Sequence, residues 1–341
     1  MLDAPILHEA HAKKAPRLKF FGDAPMEENW IMTDAVDPEI SVVVTVVDGG
    51  EALRRCLDAL SSQERAPRLE VVIPYDDTMR DVGTLASRFP DFRFLDLGRL
   101  AESAPRNEFE KHELYDRRRT GGLKIAAAPL VAMIEDRGAP RADWARAMVD
   151  AHARHADAVI GGAVENRPSD LKRWAIFFVD FSRYQAPFDN IHPEYVTDTN
   201  ICYKREALWE VSSVWAYKYQ EAAVNWALRD RGFALRLDPA PRTVQSRGPI
   251  GLRAMAGERF NWGRVYGEQR ARSAPFPARI KWMAMTPLLP PLLYLRHFGK
   301  QLRVKRHIGA FLAATPITLF LVTFWALGEL RGYLDAGGKS G

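Results

Sequence analysis

The chain has 341 residues, of which 47% are hydrophobic, so it can bury the core of one large α/β domain or of two smaller ones. Its formal net charge of +5 suits an anionic partner such as a nucleotide or an acidic membrane surface, and it does not indicate nucleic acid. The two cysteines, Cys56 and Cys202, lack the spacing of a metal site, which argues against a zinc site or a disulfide framework and favours a reducing compartment. The sequence also lacks G-x-G-x-x-G and G-x-x-x-x-G-K, which excludes the commonest dinucleotide-binding and P-loop sites.

Residues 1–38 form an N-terminal arm without a continuous apolar run, so they do not resemble a secretory signal. From there on, short apolar runs alternate with segments of helical periodicity. The runs predict strands over residues 39–47, 69–73, 92–97, 131–134 and 158–164, and the periodic segments predict helices over 51–61, 82–89, 121–128 and 145–155. This alternation predicts βαβ units and a parallel sheet.

Several segments between and after these elements are less regular. Residues 98–119 are polar and irregular, so we expect a loop there. Residues 174–184 are strongly aromatic, which fits either a core segment or a binding surface. A helix is predicted over residues 221–231, ending at Gly232, and a short strand over 234–237 before Pro239.

The rest of the chain is organised around the stretch from Val131 to Pro140. Its apolar run predicts a buried strand that carries Glu135, Asp136 and Arg137 at its carboxyl end, the edge of an open α/β sheet where ligands bind. Two adjacent carboxylates and a guanidinium are costly to desolvate in a core, so a cleft is expected. The alternative is a solvated loop that ends the strand.

The last part of the chain changes in character. Residues 282–298 are apolar but contain three prolines, and a basic stretch follows over 300–307. Residues 308–328 carry no Asp, Glu, Lys or Arg until Glu329, a length of about twenty residues that can cross a bilayer, and Pro316 is expected to kink that helix. The basic stretch is then expected on the cytosolic side, with the proline-rich piece in the interface or re-entering. A buried core helix is the alternative.

Seven short sequences occur in an order that is more specific than any one of them alone. They are Ser41–Asp48 with Leu53–Leu57, Glu70–Asp77, Ile134–Arg137 with Pro140 and Trp144, Thr199–Leu208, Tyr219–Gly232, Arg259–Arg264 and Trp325–Leu334. Together they resemble the inverting family-2 glycosyltransferases of the GT-A fold, in a bacterial membrane-associated branch, over residues 39–334. The resemblance implies a Rossmann-like mixed, mostly parallel sheet flanked by helices over residues 39–270. It also implies an interfacial segment over 271–307, a transmembrane helix over 308–330 and a tail over 331–341.

The resemblance assigns roles to individual residues. A carboxylate must take the proton of the acceptor hydroxyl, and by motif position that base is Glu221, where the family usually has Asp. An ordinary carboxylate at a helix N-terminus is the alternative. The residues implied in nucleotide-sugar binding are Asp48, Asp76, Asp77, Arg119, Glu135, Asp136, Arg137, Arg259 and Arg264, and those implied on the acceptor side are Trp174, Asn200 and Gln220. For Asp76 and Asp77 the alternative is an Asx turn, and for Arg259 and Arg264 it is contact with lipid headgroups.

The family usually neutralises the leaving diphosphate with a divalent ion held by oxygen ligands. Here Arg137 occupies the last position of the acidic motif, and Gln245 stands near the position where relatives often carry His. We therefore expect Arg137, together with Arg247, to pair with the diphosphate. The alternative is that Asp136 still binds Mg²⁺ or Mn²⁺ through waters, with Glu135 as a second candidate.

The sequence thus leads to one main hypothesis. The chain is expected to be a membrane-bound, hexosyltransferase-like inverting enzyme that transfers a sugar from a nucleotide sugar, first of all a UDP-sugar, to a lipid-linked or polysaccharide acceptor. Its expected place is the cytosolic face of a bacterial inner membrane, in the synthesis of cell-envelope polysaccharide or glycolipid, with membrane lipids and no nucleic acid as partners. A noncatalytic membrane subunit that binds nucleotide or glycan is the alternative, favoured by the departures at Arg137, Glu221 and Gln245. A nucleotidyltransferase is a third interpretation, but the chain does not open with a glycine-rich loop.

Overall fold

The computed structural model describes residues 37–103, 105–106, 108–167, 170–272 and 274–337. Except for residues 37 and 38, the predicted N-terminal arm lies outside this described part. The described residues form one eight-stranded sheet with helices on both faces. Its strands are β1 (Ile40–Thr45), β2 (Leu69–Tyr75), β3 (Arg93–Asp96), β4 (Leu130–Glu135), β5 (Gly138–Pro140), β6 (Val159–Asn166), β7 (Asn200–Lys204) and β8 (Leu235–Gln245).

Twelve α-helices connect or cover these strands in the described ranges. They are α1 (Gly50–Ser61), α2 (Glu108–Ile125), α3 (Trp144–Arg154), α4 (Leu171–Phe181), α5 (Arg205–Glu210), α6 (Ser212–Trp215), α7 (Glu221–Asp230), α8 (Leu252–Arg272), α9 (Phe276–Met285), α10 (Leu289–Val304), α11 (Ile308–Ala313) and α12 (Thr315–Gly337). Three 3-10 helices lie over Asp77–Ser87, Ser182–Tyr184 and Thr286–Leu288.

The strand order is β3-β2-β1-β4-β7-β6-β8-β5. The first four strands are parallel, β7 runs antiparallel to both β4 and β6, β8 is parallel to β6, and β5 is antiparallel to β8. The predicted fold class, a mixed and mostly parallel sheet flanked by helices, is confirmed. Because β1, β2 and β4 are parallel neighbours, the residues that follow them meet at one edge of the sheet.

Strand β1 shows why its sequence is apolar without interruption. Successive side chains of a strand point to opposite faces of the sheet. Val43 packs in the core cluster on one face, whereas Val42 and Val44 pack in the cluster on the other face. All six residues of β1 are buried, as expected for a strand covered by helices on both sides.

The prediction of a loop over residues 98–119 is wrong in its second half, because α2 begins at Glu108 and continues to Ile125 as one helix. The helix buries Leu114 and Leu123 but also Asp116, Arg118 and Arg119. Arg118 and Arg119 are stabilised by ion pairs with distant parts of the chain, and Asp116 pairs with Arg119 within the helix. The buried side of α2 therefore does not look apolar in the sequence. For this reason apolar residues do not recur at helical spacing in the first part of α2, and the sequence pattern does not indicate a helix there.

Two further elements differ from their predictions. The helix predicted over residues 82–89 is part of the longer 3-10 helix Asp77–Ser87. The strand predicted over 234–237 continues as β8 to Gln245, because its pairing with β6 shifts register between Leu237 and Arg242. That irregularity accommodates Pro239 and Pro241, which cannot donate to a regular ladder.

The C-terminal apolar stretch forms two helices, since α11 ends at Ala313 and α12 begins at Thr315. Pro316 therefore lies in the first turn of α12, where its missing N–H is tolerated, and it does not kink the middle of a long helix. Among the described residues one helical stretch, Thr315–Ala336, is long and apolar enough to cross a membrane, and 44% of its apolar window is buried against the protein. It packs against both α8 and α4.

Candidate functional site

The edge of the sheet after β1 and β4 is organised by Asp136. One carboxylate oxygen accepts the backbone N–H groups of Val47, Asp48 and Gly49 at 3.0, 3.0 and 2.7 Å, which holds the turn after β1 against β4. Gly49 has a φ of 66°, a conformation that suits glycine. Burial raises the pKa of Asp136 to about 7, although the N–H groups of Gly49 and Val47 oppose the shift.

Directly beside it, Arg137 forms a bidentate ion pair with Asp48, with nitrogen to oxygen distances of 2.9 and 2.6 Å. The pair ties the end of β4 to the turn after β1. Its guanidinium lines a large cavity, so it is available to a ligand there if Asp48 yields one of its bonds.

A buried guanidinium, that of Arg119, joins the acidic residues of the site. It contacts the carboxylates of Asp116, Glu135 and Asp198 at 2.9, 3.1 and 2.6 Å. These four residues come from α2, from the end of β4 and from the segment before β7. Arg119 thus neutralises part of a concentrated negative charge and holds three elements together.

Glu221 begins α7 and belongs to the same acidic cluster. Its carboxylate accepts the backbone N–H of Asp198 at 2.9 Å. Burial, the charge of Asp198 and a side-chain hydrogen bond with Asp198 raise the pKa of Glu221 well above its ordinary value, and Arg119 acts in the opposite direction. Glu221 is thus a buried carboxyl group that holds a proton more tightly than an exposed glutamate does.

A cavity of about 500 Å³ connects these groups to the helices of the C-terminal half. At the sheet edge it is lined by Val47, Glu135 and Arg137, and Glu221 lies on its wall. From there it extends between α4, α8, α10 and α12, where its lining becomes largely aromatic and aliphatic with several arginines. Such a space can hold two ligands or one elongated ligand.

The structure brings together about half of the residues expected from the sequence. Those that line the cavity are Arg119, Glu135, Arg137, Gln220, Glu221 and Arg259. Those that do not line it are Asp48, Asp76, Asp77, Asp136, Trp174, Asn200 and Arg264. Gln245 and Arg247 also line it, at the end of β8 and just beyond.

Asp76 is fully buried and engaged within the protein. Its carboxylate pairs with Arg118 at 3.0 Å and accepts the Thr78 N–H at 2.9 Å, which is the Asx turn considered from the sequence. Arg118 in turn donates to the carbonyl of Val46, so this pair fixes the turn after β1. Asp77, by contrast, is only partly buried, at the start of the 3-10 helix.

The remaining expected residues have structural contacts. Arg259 is buried, pairs with Asp180 of α4 and lies 4.2 Å from the centre of the Trp262 ring. Arg264 faces the other way and pairs with Asp335 of α12 at 2.7 Å. Trp174 and Asn200 are buried away from the cavity: the former packs against Phe178 and His307, and the latter accepts the indole N–H of Trp144.

Several residues of the site had no assigned role in the sequence analysis. Asp198 directly precedes the Thr199–Leu208 sequence, and Asp116 lies three residues before Arg119 on one face of α2. The second spacing was a usable signal, but it carries meaning only once residues 108–125 are known to be helical. Arg183 and Arg296, which also line the cavity, gave no signal of their own.

The donor set for a divalent ion is poor. Asp136 and Gln245 each have one buried oxygen without a hydrogen-bond partner, but the neighbouring side chain is the cationic Arg137. Among the residues that the structure describes, no group of three or more His, Cys, Asp and Glu residues is arranged to hold a metal ion. The residues present therefore do not fit the oxygen-rich site that Mg²⁺ or Mn²⁺ prefers.

No model of a known protein family and no curated protein matches the sequence. Among solved structures, the chain is similar to residues 1–349 of S. aureus TarS in complex with UDP-GlcNAc, with 13% identity and a TM-score of 0.46 over 88% of this chain and 92% of the other. It is also similar to the mannosyltransferase PcManGT from Pyrobaculum calidifontis in complex with GDP-Man and Mn²⁺. There the identity is 14% and the TM-score 0.42, over 92% of this chain and 80% of the other.

Proposed function

We propose that the chain is an inverting glycosyltransferase that uses a nucleotide-sugar donor and Glu221 as its general base. The observation that carries this proposal is the position of Glu221 on a cavity wall, with a raised pKa, in the same cavity as Arg137 and Glu135 at the carboxyl edge of the sheet. A carboxylate with a raised pKa is a stronger base than an ordinary one, which suits a hydroxyl nucleophile.

In the proposed reaction, the acceptor hydroxyl attacks the anomeric carbon of the donor. The new oxygen–carbon bond forms as the bond from that carbon to the diphosphate oxygen breaks, and the hydroxyl proton passes to Glu221. The bonding electrons leave with the nucleoside diphosphate, which gains negative charge. Asp198 and Arg119 act as positioning residues, because Asp198 donates its N–H to Glu221 and Arg119 fixes Asp198.

The donor is proposed to lie at the sheet edge after β1, β2 and β4. Arg137 and Arg247 are proposed to bind the diphosphate, since both line the cavity and a guanidinium binds phosphate oxygens with two parallel hydrogen bonds. Arg137 would exchange a bond with Asp48 for one with phosphate, and Arg247 one with Glu258. Of Asp76 and Asp77, the two neighbouring carboxylates expected at the nucleotide, Asp77 is the more accessible.

This arrangement predicts turnover without a metal. We expect the rate to persist in excess EDTA, because Arg137 supplies positive charge where relatives place a cation. Replacing Arg137 with Gln should lower kcat by about a hundredfold or more, as the loss of one transition-state charge partner commonly does. Arg141→Gln is a matched control, since Arg141 is exposed and pairs with Glu165. Loss of activity in EDTA that added Mn²⁺ restores would contradict the arginine role.

The decisive experiment concerns Glu221. The purified full chain is first tested for thermal stabilisation by a panel of nucleoside diphosphates and their sugars, since a ligand that binds the folded state raises the melting temperature. With the donor so identified, Glu221→Gln should keep the nucleotide affinity and lower donor turnover about a hundredfold or more. Glu113→Gln, another cavity carboxylate that pairs with Lys218, should turn over normally. Unchanged turnover in Glu221→Gln would rule out this base, and no nucleotide binding would favour a noncatalytic protein.

We further propose that the chain is membrane-bound through its last four helices. The supporting observation is a row of exposed apolar side chains along α10 and another along α11 and α12. These are Leu288, just before α10, with Leu292, Leu295 and Leu302, and Leu312, Leu319, Leu327 and Leu334. The same four helices and their connections also carry exposed basic residues, namely Lys281, Arg303, Lys305, Arg306 and Arg331. Such a combination suits an anionic bilayer surface.

A further inference from the structure

Arg183 and Arg296 differ from the other arginines of the cavity. Arg119, Arg137, Arg173, Arg247, Arg259 and Arg270 each have a carboxylate within salt-bridge distance. Within the described part of the chain, no carboxylate lies within that distance of Arg183 or Arg296. Both guanidiniums therefore face the cavity without a counter-charge of their own.

The chain neighbours of the two arginines are bonded to each other, which brings Arg183 and Arg296 near one another. The Ser182 hydroxyl and the His297 ring nitrogen Nδ1 are 2.7 Å apart, which joins the 3-10 helix Ser182–Tyr184 to α10. Burial and the charge of Arg183 lower the pKa of Arg296, in agreement with this proximity. Two like charges held together in a partly enclosed space favour binding of an anion, and phosphate matches the fork of a guanidinium.

The wall next to this pair is apolar. Leu289, Leu293 and Arg296 are spaced by four and three residues, so they share one face of α10 that is turned to the cavity. Val322 and Trp325 of α12 line the same cavity. An elongated ligand bound here meets two guanidiniums at one point and an aliphatic wall along its length.

This end of the cavity is connected to the proposed base. Tyr184 follows Arg183 in the chain, lines the cavity and is close enough to Glu221 for the charge of Glu221 to contribute to its raised pKa, although burial is the larger cause. The proposed donor site at Arg137 belongs to the sheet edge, whereas Arg183 and Arg296 belong to the helices beyond Glu221. A ligand at the arginine pair is thus on the acceptor side.

We propose that Arg183 and Arg296 form a phosphate site for an acceptor that combines a phosphate group with an apolar chain lying along α10. That this ligand is the acceptor rests on the proposed glycosyltransferase function, whereas the binding site itself does not depend on that function. An amphiphilic acceptor also agrees with the proposed contact between lipid and the exposed leucines of α10 and α12. The same two helices that carry the apolar cavity wall also carry the surface proposed to contact lipid, so the site lies beside that surface.

The test measures binding of hexyl phosphate, hexanol and inorganic phosphate to the purified full chain by calorimetry. We expect hexyl phosphate to bind more tightly than either of the other two probes, because it alone satisfies both the arginine pair and the apolar wall. Arg183→Gln and Arg296→Gln should each raise the Kd for hexyl phosphate about tenfold or more. Arg141→Gln, which removes an exposed charge outside both the cavity lining and the proposed membrane surface, should leave that Kd unchanged.

Each other outcome is informative. If hexanol binds as tightly as hexyl phosphate, or if neither arginine substitution changes the Kd for hexyl phosphate, the proposed phosphate site is wrong. If inorganic phosphate binds as tightly as hexyl phosphate, the proposal that the ligand has an apolar chain is wrong. The affinity for nucleoside diphosphate, measured in the same variants, should not change. An unchanged affinity also shows that the variants are folded. Arginine-dependent binding of hexyl phosphate by a protein that binds no nucleotide would leave this site standing while the transferase proposal failed.

Discussion

At the scale of single residues, Asp136 has the clearest energetic consequence. Its carboxylate is buried and is held by three backbone N–H groups, and its pKa is raised from 3.8 to about 7. The folded protein therefore holds this proton more tightly than the unfolded chain does. The stability that this provides is present below pH 4 or so and is lost as the pH rises through about 7.

Replacing Asp136 with Asn should remove that pH dependence. The amide oxygen can still accept the three N–H groups, but no charge has to be buried at neutral pH. We expect the difference in melting temperature between Asp136→Asn and the parent to be larger near pH 8 than near pH 5, in favour of the variant. The change should correspond to about a few kcal/mol in the free energy of unfolding. Asp150→Asn, on the exposed part of α3, is the control and should show no such trend. A constant difference across this range would contradict the raised pKa.

At the scale of elements, α8 and α12 approach unusually closely. Gly263 and Gly267 of α8 lie against the backbone of α12 at Trp325 and Glu329. Gly328 of α12 lies against the backbone of α8 at Phe260. A Cβ atom at these positions would collide with a carbonyl group, which cannot rotate away as a side chain can. Only glycine leaves enough space for the two helix backbones at these positions. Through this contact α12 packs closely against α8, a helix rich in charged residues.

A methyl group at the contact should separate the two helices. We expect Gly328→Ala to destabilise the folded protein by about 1–3 kcal/mol, the usual cost of overpacking a tight contact. Gly257→Ala, in α8 with open space around it, should instead be neutral or stabilising by up to about 1 kcal/mol. Thermal unfolding of both variants tests this, and equal effects would show that helix propensity alone decides.

At the scale of the whole molecule, the packing of α12 bears on the form that the proposed membrane attachment would take. If α12 crossed the bilayer, the charged helix α8 and the buried Glu329 would have to enter the apolar layer with it, which is costly. We therefore favour attachment in the interface, with the leucine rows of α10 and α12 against the lipid, over the transmembrane helix predicted for residues 308–330.

Interfacial attachment predicts a specific pattern in vesicle binding. Leu292→Asp combined with Leu295→Asp should reduce cosedimentation with anionic vesicles about tenfold or more, since two exposed apolar contacts are replaced by charges that anionic lipid repels. Val214→Asp, an exposed apolar position on α6, should bind normally. Alkaline carbonate should release the parent protein from membranes. Retention after carbonate would instead favour a spanning helix.

Much of the fold could be read from local patterns, because a strand covered on both faces is apolar throughout and a helix with one buried face repeats every three to four residues. These patterns predict β1, β4, α1 and α7. They also mark the polar residues directly after β1 and β4 as candidates for the functional site. α2 was missed because its buried face is largely polar, and the burial of its polar side chains depends on partners far away in the sequence, such as Val46, which lies 72 residues before Arg118. The same reason explains why Asp198 and the arginine pair were missed. A side chain's charge is visible in a sequence, but whether it has a partner and which cavity it faces are set by contacts between segments that the sequence keeps far apart.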